Sequence, residues 1–255
     1  MTSPPALRRE LRDRSAVVTL QHGANALDDE LLGALAAEME ALVAAGAPPL
    51  VLHSAHPNIF CPGLDLKKLD HRNRDDLRAV IRDFEALLRR LATYPGPVVA
   101  ALSGHAIAGG CLLALACDRR VMARAGARLG LSEINLGIPV PAGAIAMLLA
   151  LYPTRSVEQL VLEGDGLGGE RAAELGFVER LAERGAVLDE AVRLAKQLGS
   201  RPPAAYAEAK GFLRGAMAAA MAARDASEME RFLDHWFDPA TQDRIGAQVA
   251  AFSRR

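Results

Sequence analysis

Ser103–Asp118, with the sequence SGHAIAGGCLLALACD, is the stretch that decides the fold. It reads as a short strand that turns through glycines into an almost wholly apolar helix. A helix that begins at Gly109–Gly110 directs free backbone N–H groups and the positive end of its dipole towards whatever lies in front of it. Farther along, Glu133 is the one charged residue of the segment GLSEINLGI. A cluster of donors beside an acid in an apolar setting is suited to removing a proton next to a carbonyl group.

The composition indicates one large domain with no evident nucleic-acid or membrane partner. Of the 255 residues 51% are hydrophobic, so the chain can bury a substantial core, and its net charge of −1 gives no basis for binding nucleic acid or an anionic membrane. The three cysteines lack a CxxC spacing, and no apolar run approaches a membrane span. We therefore expect a soluble, cytoplasmic, reduced protein without a signal-peptide pattern at its start.

The first half of the chain alternates strand-like and helix-like segments. Apolar or β-branched runs predict strands at Ser15–Leu20, Pro49–Ser54, Pro97–Leu102, Arg120–Ala123 and Ala127–Leu131. Helical spacing of apolar residues predicts helices at Asp28–Ala45, with Asp28 as the N-cap, and at about Arg74–Thr93. This alternation is typical of an α/β core.

The second half is predicted to be helical. The predicted helices are Ala142–Leu151, Ser156–Glu163, Glu170–Leu175, Ala186–Leu198, Ala204–Ala222 and an amphipathic pair across Ala226–Phe252. The glycine-rich segment Gly164–Gly169 follows a helix rather than a strand, which indicates a turn and not a phosphate loop. We predict an α/β core over residues 1–195 and a helical C-terminal extension over residues 196–255 that serves oligomerisation or covers a pocket.

A second loop, FCPGLDL over Phe60–Leu66, follows the apolar strand that ends near Ser54. Pro62–Gly63 forces a turn, after which the N–H of Leu64 is expected to face outward. This loop and the loop that opens the helix at Gly109 can each supply one N–H to the same oxygen. Two such preorganised donors stabilise an enolate or a tetrahedral oxyanion, each by about 3 kcal/mol in the transition state.

These motifs resemble the two oxyanion-hole motifs of the crotonase (enoyl-CoA hydratase/isomerase) superfamily. The resemblance covers nearly the whole chain and includes ANALDDELL, GPVVAALSG, GLSEINLGI and LEGDGLGGERAAELGFVERL. It implies a crotonase-like ββα spiral core, with the N–H groups of Leu64 and Gly109 holding a thioester oxygen. It also implies a coenzyme A and substrate site formed by Asn25, Ala26, Leu27, Pro62, Gly63, Asp65, Leu66 and Gly110. Coenzyme A is then part of the substrate, and no separate cofactor or metal is expected.

One departure from the hydratase pattern bears on the reaction. Typical hydratases of this superfamily have one glutamate directly after GGC and a second in the later segment, and the pair orients a water. Here the first position is Leu112, whereas the second is retained as Glu133. A single carboxylate is poorly equipped to add water but can move a proton between two carbons. Dienoyl-CoA isomerases use a further acid at the position of Pro141, so their mechanism is disfavoured.

The segments AGGCLLALACD and GLSEINLGI, with WFDPATQ near the end, are similar to the single-glutamate Δ3,Δ2-enoyl-CoA isomerases. We therefore predict an isomerase that moves the double bond of an acyl-CoA from the 3 to the 2 position, with Glu133 as the catalytic residue. The alternatives are a hydratase or another crotonase-type reaction, such as decarboxylation, hydrolysis or action on a carrier-protein thioester. A catalytically silent acyl-CoA-binding protein is a lesser alternative. The resemblance implies a homotrimer or a hexamer.

Several other residues are candidates for the site. Phe84, Leu87, Leu88 and Ile145 are candidates for lining the acyl pocket, and Lys67 and Lys68 for contacting phosphates, since His22 stands where relatives often have a basic residue. The cluster Phe232, Trp236, Phe237 and Phe252 is expected in the core or a subunit interface, or, from the family, over a neighbouring pocket. His53, His56 and Cys61 lack a fourth ligand and are not expected to bind metal. His105 is expected to be a hydrogen-bonded structural histidine.

Overall fold

The computed structural model describes residues 5–253 and has nine strands within them. The strands are β1 (Leu7–Arg12), β2 (Ser15–Leu20), β3 (Leu50–Ser54), β4 (Ile59–Cys61), β5 (Val98–Leu102), β6 (His105–Ile107), β7 (Arg119–Ala123), β8 (Leu129–Gly130) and β9 (Arg180–Ala182). Six of them form one sheet in the order β1-β2-β3-β5-β7-β9, and the other three form a second sheet in the order β4-β6-β8. The mixed α/β architecture agrees with the prediction.

The larger sheet has a buried parallel centre and a polar antiparallel edge. Strands β2, β3, β5, β7 and β9 pair in parallel, whereas β1 pairs with β2 in antiparallel register. Every residue of β2 and β5 is buried, as expected of strands covered on both faces. The sequence analysis missed β1, LRRELR, because an edge strand whose charged side chains face solvent carries no apolar run.

The smaller sheet brings two chemically important loops to the same edge. Its strands β4, β6 and β8 are parallel, with Ile59 opposite His105 and Ala106 opposite Leu129. The segment after β4 contains Pro62–Leu66, and the segment after β6 contains Ala108–Gly110. Because parallel strands end at the same edge, these two segments lie side by side. The predicted strand Ala127–Leu131 is shorter in the structure, where β8 is Leu129–Gly130.

The helices surround the two sheets. They are α1 (Asp29–Ala44), α2 (Leu66–Leu69), α3 (Arg74–Thr93), α4 (Gly109–Ala116), α5 (Glu133–Leu136), α6 (Ala142–Leu151), α7 (Thr154–Glu163), α8 (Gly169–Glu174), α9 (Val187–Gly199), α10 (Pro203–Trp236) and α11 (Pro239–Ser253). The Asp28 side chain accepts from the Leu31 N–H at the start of α1, so the predicted N-cap is confirmed. Gly164 ends α7 in the left-handed conformation and Gly168 caps α8, which agrees with a turn in this segment.

Helix α10 corrects one prediction. The sequence predicted that one helix ends at Ala222 and another begins at Ala226. In the structure both positions lie inside α10, a single helix of 34 residues. No glycine or proline lies between these positions, and Asp225 is buried inside the helix instead of capping a new one. The side chain of Arg89 forms an ion pair with it, so α3 supplies the partner that the sequence did not reveal.

Buried ion pairs connect α10 to the core. Lys210 donates to Asp118 Oδ2 at 2.7 Å and to the Gly96 carbonyl at 3.0 Å, and Arg214 lies 3.0 Å from the other oxygen of Asp118. Asp118 also accepts from the Val98 N–H, so one carboxylate joins α10 to β5. The predicted division at residues 195 and 196 falls inside α9, and it stays a prediction. Within residues 5–253, no helix combines the length and apolar character needed to cross a membrane.

Candidate active site

A bridge between Leu27 and Leu64 fixes the direction of one backbone donor. The Leu27 N–H donates to the Gly63 carbonyl at 2.8 Å, and the Asp65 N–H donates to the Leu27 carbonyl at 3.0 Å. In such a parallel bridge, the N–H of the central residue points to the opposite side of its strand. The N–H of Leu64 is therefore directed away from Leu27, as the sequence analysis expected. Leu64 lies in the wall of a large cavity.

The second donor lies beside the first because two glycines allow close contact. A β-carbon on Gly63, whose φ is +97°, would lie 2.9 Å from the Ala108 β-carbon and 3.0 Å from the Gly109 nitrogen. A β-carbon on Gly110 would overlap the Cys61 carbonyl group. Gly110 thus lets α4 lie directly against β4, and Gly63 lets the two loops meet.

Gly109 is the first residue of α4, as predicted. Its N–H has no acceptor within the helix, because the first turn of a helix has none. Ala108, which precedes it, has φ +50° and ψ −126°, an uncommon conformation for a residue with a β-carbon. This turn leads directly from β6 into α4 and brings the Gly109 N–H to the cavity wall.

Glu133 is the first residue of α5 and belongs to the wall of the same cavity. Its Oε2 atom is buried and accepts no hydrogen bond from the residues that the structure describes. Burial raises the pKa of Glu133 to about 7, although the N–H groups of Glu133 and Ser132 act in the opposite direction. The burial of Oε2 agrees with the apolar setting that the sequence analysis expected for this acid.

The cavity has a volume of about 980 Å³. Seven of the predicted site residues contribute to its wall: Ala26, Pro62, Leu64, Asp65, Leu66, Gly109 and Glu133. A volume of this size is at the upper end for small-molecule sites. The structure thus brings Leu64, Gly109 and Glu133 to the wall of one cavity. Such a chamber can stabilise an enolate oxygen while a proton leaves the adjacent carbon.

The other four predicted residues lie outside the cavity wall. Gly63 and Gly110 form the close contacts described above, and a δ-methyl group of Leu27 lies near Gly109. Asn25 is buried, and its amide donates to Ser54 Oγ at 2.8 Å and to the Phe60 carbonyl at 3.1 Å. These residues support the shape of the cavity, and direct contact between them and a substrate stays a prediction.

Asp28 organises the basic residues near the cavity, a role that the sequence analysis missed. It is 1% exposed, accepts from Lys68, and has Oδ2 2.9 Å from His22 Nε2. Burial alone would raise the pKa of Asp28, but the bonds from Lys68, Leu31 and His22 outweigh it and lower the pKa to about 2. Lys68 is thereby held by Asp28, whereas Lys67 and His22 are part of the cavity wall. The N-cap pattern predicted a helix start but not this network.

The C-terminal helices cover the cavity of their own chain. Phe232 and Trp236 on α10 line it together with Phe252 on α11, with the Phe232 and Trp236 ring centroids 6.3 Å apart. Phe237 only packs against the core. The sequence analysis expected this cluster in the core or a subunit interface, with a neighbouring pocket as the alternative from the family. Within the chain α11 packs on α2 and α5, and a role at a subunit interface stays a prediction.

The candidates for the acyl pocket are only partly right. Phe84 belongs to the cavity wall, with its ring beside Gly109. Leu87 and Leu88 are buried in the core instead, and Ile145 packs against the core outside the wall. The 3.6-residue spacing of α3 identified a buried face, but it could not distinguish the cavity from the core.

The surroundings of Leu112 and His56 indicate that both residues have structural roles. Leu112 is fully buried within α4 and is not part of the cavity wall. His56 Nδ1 accepts from the N–H groups of Asn58 and Ile59, so that nitrogen holds a turn. Within residues 5–253, no group of three or more His, Cys, Asp or Glu side chains is arranged to hold a metal ion. His105 lies in the cavity wall.

Comparisons with known proteins identify the family. The family model "Enoyl-CoA hydratase/isomerase" matches residues 12–246. The chain belongs to this family. It is similar to a 2,3-dehydroadipyl-CoA hydratase of Escherichia coli (strain K12), with 32% identity over 247 residues that cover 96% of this chain and 94% of the relative. Relatives named hydratase and relatives named isomerase/hydratase both occur.

Solved structures of this enoyl-CoA hydratase/isomerase family share the fold. An enoyl-CoA hydratase/isomerase from Xanthobacter autotrophicus Py2 has 28% identity and a TM-score of 0.81, with 96% of each chain covered. Human mitochondrial delta3-delta2-enoyl-CoA isomerase has a TM-score of 0.92 over 98% of each chain, and its 24% identity shows the fold alone. The predicted crotonase fold is therefore confirmed, and membership assigns the chain a crotonase-type hydratase/isomerase activity.

Proposed function

We propose that the protein is an acyl-CoA isomerase that converts a 3-enoyl thioester into a 2-enoyl thioester. The observation that carries the proposal is the Glu133 carboxylate, with Oε2 buried and unpaired among the described residues, in a cavity whose wall also includes Leu64 and Gly109. The other carboxylate of that wall, Asp65, caps α2 instead. The two amides bind the thioester oxygen. Glu133 takes a proton from C2, which gives a dienolate, and returns it to C4.

The proton balance of this reaction suits one carboxylate. Glu133 starts ionised, becomes protonated when C2 loses its proton, and is ionised again after C4 gains one. No water is consumed, so no second group is needed to orient a water. A pKa near 7 supports both halves of the transfer, because the group is neither too weak a base nor too weak an acid at neutral pH. Leu112 occupies the position where typical hydratases have their first glutamate, and it is buried in the core.

Basic residues in the cavity wall support a coenzyme A thioester as the substrate, with no separate cofactor. His22 and Lys67 contribute basic groups, on the loop before α1 and on α2 respectively. Phosphate oxygens are matched by such donors. A carrier-protein thioester, which also presents a phosphopantetheine arm, is a further possibility within the same proposal. The homotrimer or hexamer stays a prediction, and sedimentation of the purified protein would test it.

Hydration is the second candidate, because the Escherichia coli relative with 32% identity is named a hydratase. Hydration adds water across a 2-enoyl thioester, and Glu133 would then have to activate the water and protonate the carbon alone. Incubation with 2-enoyl-CoA separates the two reactions, since an isomerase forms little 3-hydroxyacyl-CoA from it.

Replacement of Glu133 by glutamine tests the proposed catalytic residue. Glu133→Gln keeps the shape of the side chain but cannot accept the proton, so kcat for isomerisation should fall by about 10²- to 10⁴-fold. Binding of a saturated acyl-CoA should stay nearly unchanged, because the amide donors are intact. Glu158→Gln, on the exposed surface of α7, is the matched control. Isomerase activity retained by Glu133→Gln would contradict the proposal.

A further inference from the structure

Two adjacent lysines near the cavity, Lys67 and Lys68, have different surroundings. Lys67 belongs to the cavity wall, whereas Lys68 does not. The Lys68 ammonium group forms an ion pair with Asp28, 40 positions earlier in the sequence. The Asp28 side chain is 2% exposed, and a carboxylate with so little contact with water needs an opposite charge close by. Lys68 supplies that charge, so its ammonium group has a partner within the fold.

This ion pair crosses the same gap as the backbone bridge that directs the Leu64 N–H. Leu27, whose N–H and carbonyl groups bond to the residues on either side of Leu64, directly precedes Asp28. The bridge is isolated and lies outside the strands of both sheets. It therefore lacks the support that neighbouring strands give to a sheet. The ion pair adds a charged side-chain contact to this connection.

Helix α2 connects Lys68 to the loop that contains Leu64. The helix begins at Leu66, two residues after Leu64, and has a single turn of four residues. Asp65 at its start accepts from the Lys68 N–H with both its carbonyl group and its side chain. The end of the loop and the helix thus form one hydrogen-bonded unit. Because this unit is so short, holding Lys68 also limits how far the Leu64 N–H can move.

We propose that Lys68 is a positioning residue for the reaction, which keeps the Leu64 N–H directed at the thioester oxygen through its ion pair with Asp28. The inference rests on the proposed function, because it takes the occupant of the cavity to be an acyl thioester bound by that N–H. Lys68 acts through Leu64 and does not touch the substrate. A phosphate contact by Lys68, which the sequence analysis considered, would require the ion pair to break.

Removal of the lysine charge tests this role. Lys68→Met keeps most of the side-chain length but cannot pair with Asp28. The Leu64 N–H is then held less firmly, so kcat should fall about tenfold, which is less than the loss typical of a deleted oxyanion donor. Kd for a saturated acyl-CoA should change by about twofold or less, because no substrate contact is removed. Lys196→Met, which removes an exposed ion pair with Asp13, is the matched control and should keep the wild-type kcat.

A double-variant cycle tests whether the ion pair is the cause of the effect. Asp28→Asn keeps an oxygen for the Leu31 N–H, so the start of α1 stays capped, but it removes the charge that pairs with Lys68. It should also lower kcat, and the variant with both substitutions should be about as slow as the slower single one. Losses that multiply in the double variant would overturn the inference, because the two residues would then act independently.

The carbonyl stretch of a bound saturated acyl-CoA reports on the oxyanion site without turnover. Infrared difference spectroscopy with a ¹³C-labelled thioester carbonyl should show a lower frequency on the wild type than in water, and Lys68→Met should reverse part of that shift. A purely structural role would change stability and leave the frequency unchanged. A wild-type frequency or wild-type kcat in Lys68→Met, or weaker binding with kcat intact, would overturn the inference. A wild type that binds the thioester without any shift would overturn the proposed function as well.

Discussion

At the scale of single residues, Glu133 combines three properties that a proton carrier between carbons requires. Its Oε2 atom is buried, that oxygen accepts no hydrogen bond from the described residues, and the pKa of the carboxyl group is raised to about 7. A carboxylate left in water would be a weaker base by more than two pKa units. Burial therefore raises the pKa of Glu133, as a neighbouring negative charge does in other sites.

The pH dependence of isomerisation follows from this pKa. Below about pH 7 Glu133 holds a proton and cannot accept one from C2, so kcat/KM should fall about tenfold for each further pH unit. Above that pH the carboxylate is ionised and the profile should level off. Initial rates with a 3-enoyl thioester, measured across this range in buffers of constant ionic strength, check the expectation. A flat profile down to about pH 5 would contradict it.

The sequence predicted some residue roles and missed others. The neighbours Leu129, Leu131, Ile134 and Leu136 predicted an apolar setting for Glu133. Leu129 and Leu131 are buried, whereas Ile134 is 45% exposed. The network around Asp28 depends on a partner far away in sequence. Nothing in a local pattern indicates that Lys68 reaches Asp28 across 40 positions.

At the scale of secondary-structure elements, glycines determine how closely two loops approach. Gly110 lies against the Cys61 backbone, and Gly63 lies against Ala108 and Gly109. The two donor-bearing segments thus depend on the absence of side chains at these positions. The proposed oxyanion site therefore depends on the contact between the loop after β4 and the start of α4, and neither segment would form it alone.

Gly110→Ala tests this contact. The added methyl group would overlap the Cys61 carbonyl, so α4 must move away from β4, and we expect a loss of about 3 kcal/mol in the free energy of unfolding together with reduced kcat. Gly33→Ala is the control, because a methyl group inside α1 meets no atom within 4 Å and should stabilise the protein by about 0.5–1 kcal/mol. Chemical denaturation measures both. Wild-type stability and activity in Gly110→Ala would contradict the role of the contact.

The elements were predictable where their patterns are local. Buried parallel strands and capped amphipathic helices have such patterns, and β2, β3, β5, α1 and α3 were found within one or two residues. The polar edge strand β1 was not predicted because it has no apolar run, and the three-residue strands β4 and β9 were not because they are too short for a periodic pattern. The short strand predicted before the glycines of Ser103–Asp118 is β6. The continuity of α10 was not predicted, because Asp225 in its charged stretch is stabilised by an ion pair with Arg89 on α3, which is distant in sequence.

At the scale of the whole molecule, α10 is held to the core by ionisable groups along its length. One of these contacts joins three helices: Asp225 on α10 lies against Gly143 on α6 and next to Glu85 and Arg89 on α3. Burial and the Asp225 carboxylate raise the pKa of Glu85 to about 8, so Glu85 holds a proton at neutral pH. The same helix carries Phe232 and Trp236 to the cavity, which links its attachment to the site.

Stability should therefore decrease as the pH rises. Between the ordinary glutamate pKa of 4.5 and its folded value of about 8, the folded state keeps the Glu85 proton while the unfolded state loses it. Folding is favoured most below this window, and on the order of 4 kcal/mol is lost across it. Glu85→Gln, which is neutral at every pH, should flatten that part of the dependence, whereas Glu158→Gln should not. Thermal unfolding between about pH 5 and 8 measures the slope, and equal slopes for Glu85→Gln and wild type would contradict the assignment.

The identity of the product formed from a 3-enoyl-CoA tests the central claim most directly. Mass spectrometry and ultraviolet absorbance of the quenched reaction distinguish a shifted double bond from an added water. The single-carboxylate account predicts a 2-enoyl-CoA of unchanged mass with the absorbance of a conjugated thioester, formed by the wild type and not by Glu133→Gln. A product heavier by one water that dominates from the earliest times, or equal rates for the two proteins, would contradict it.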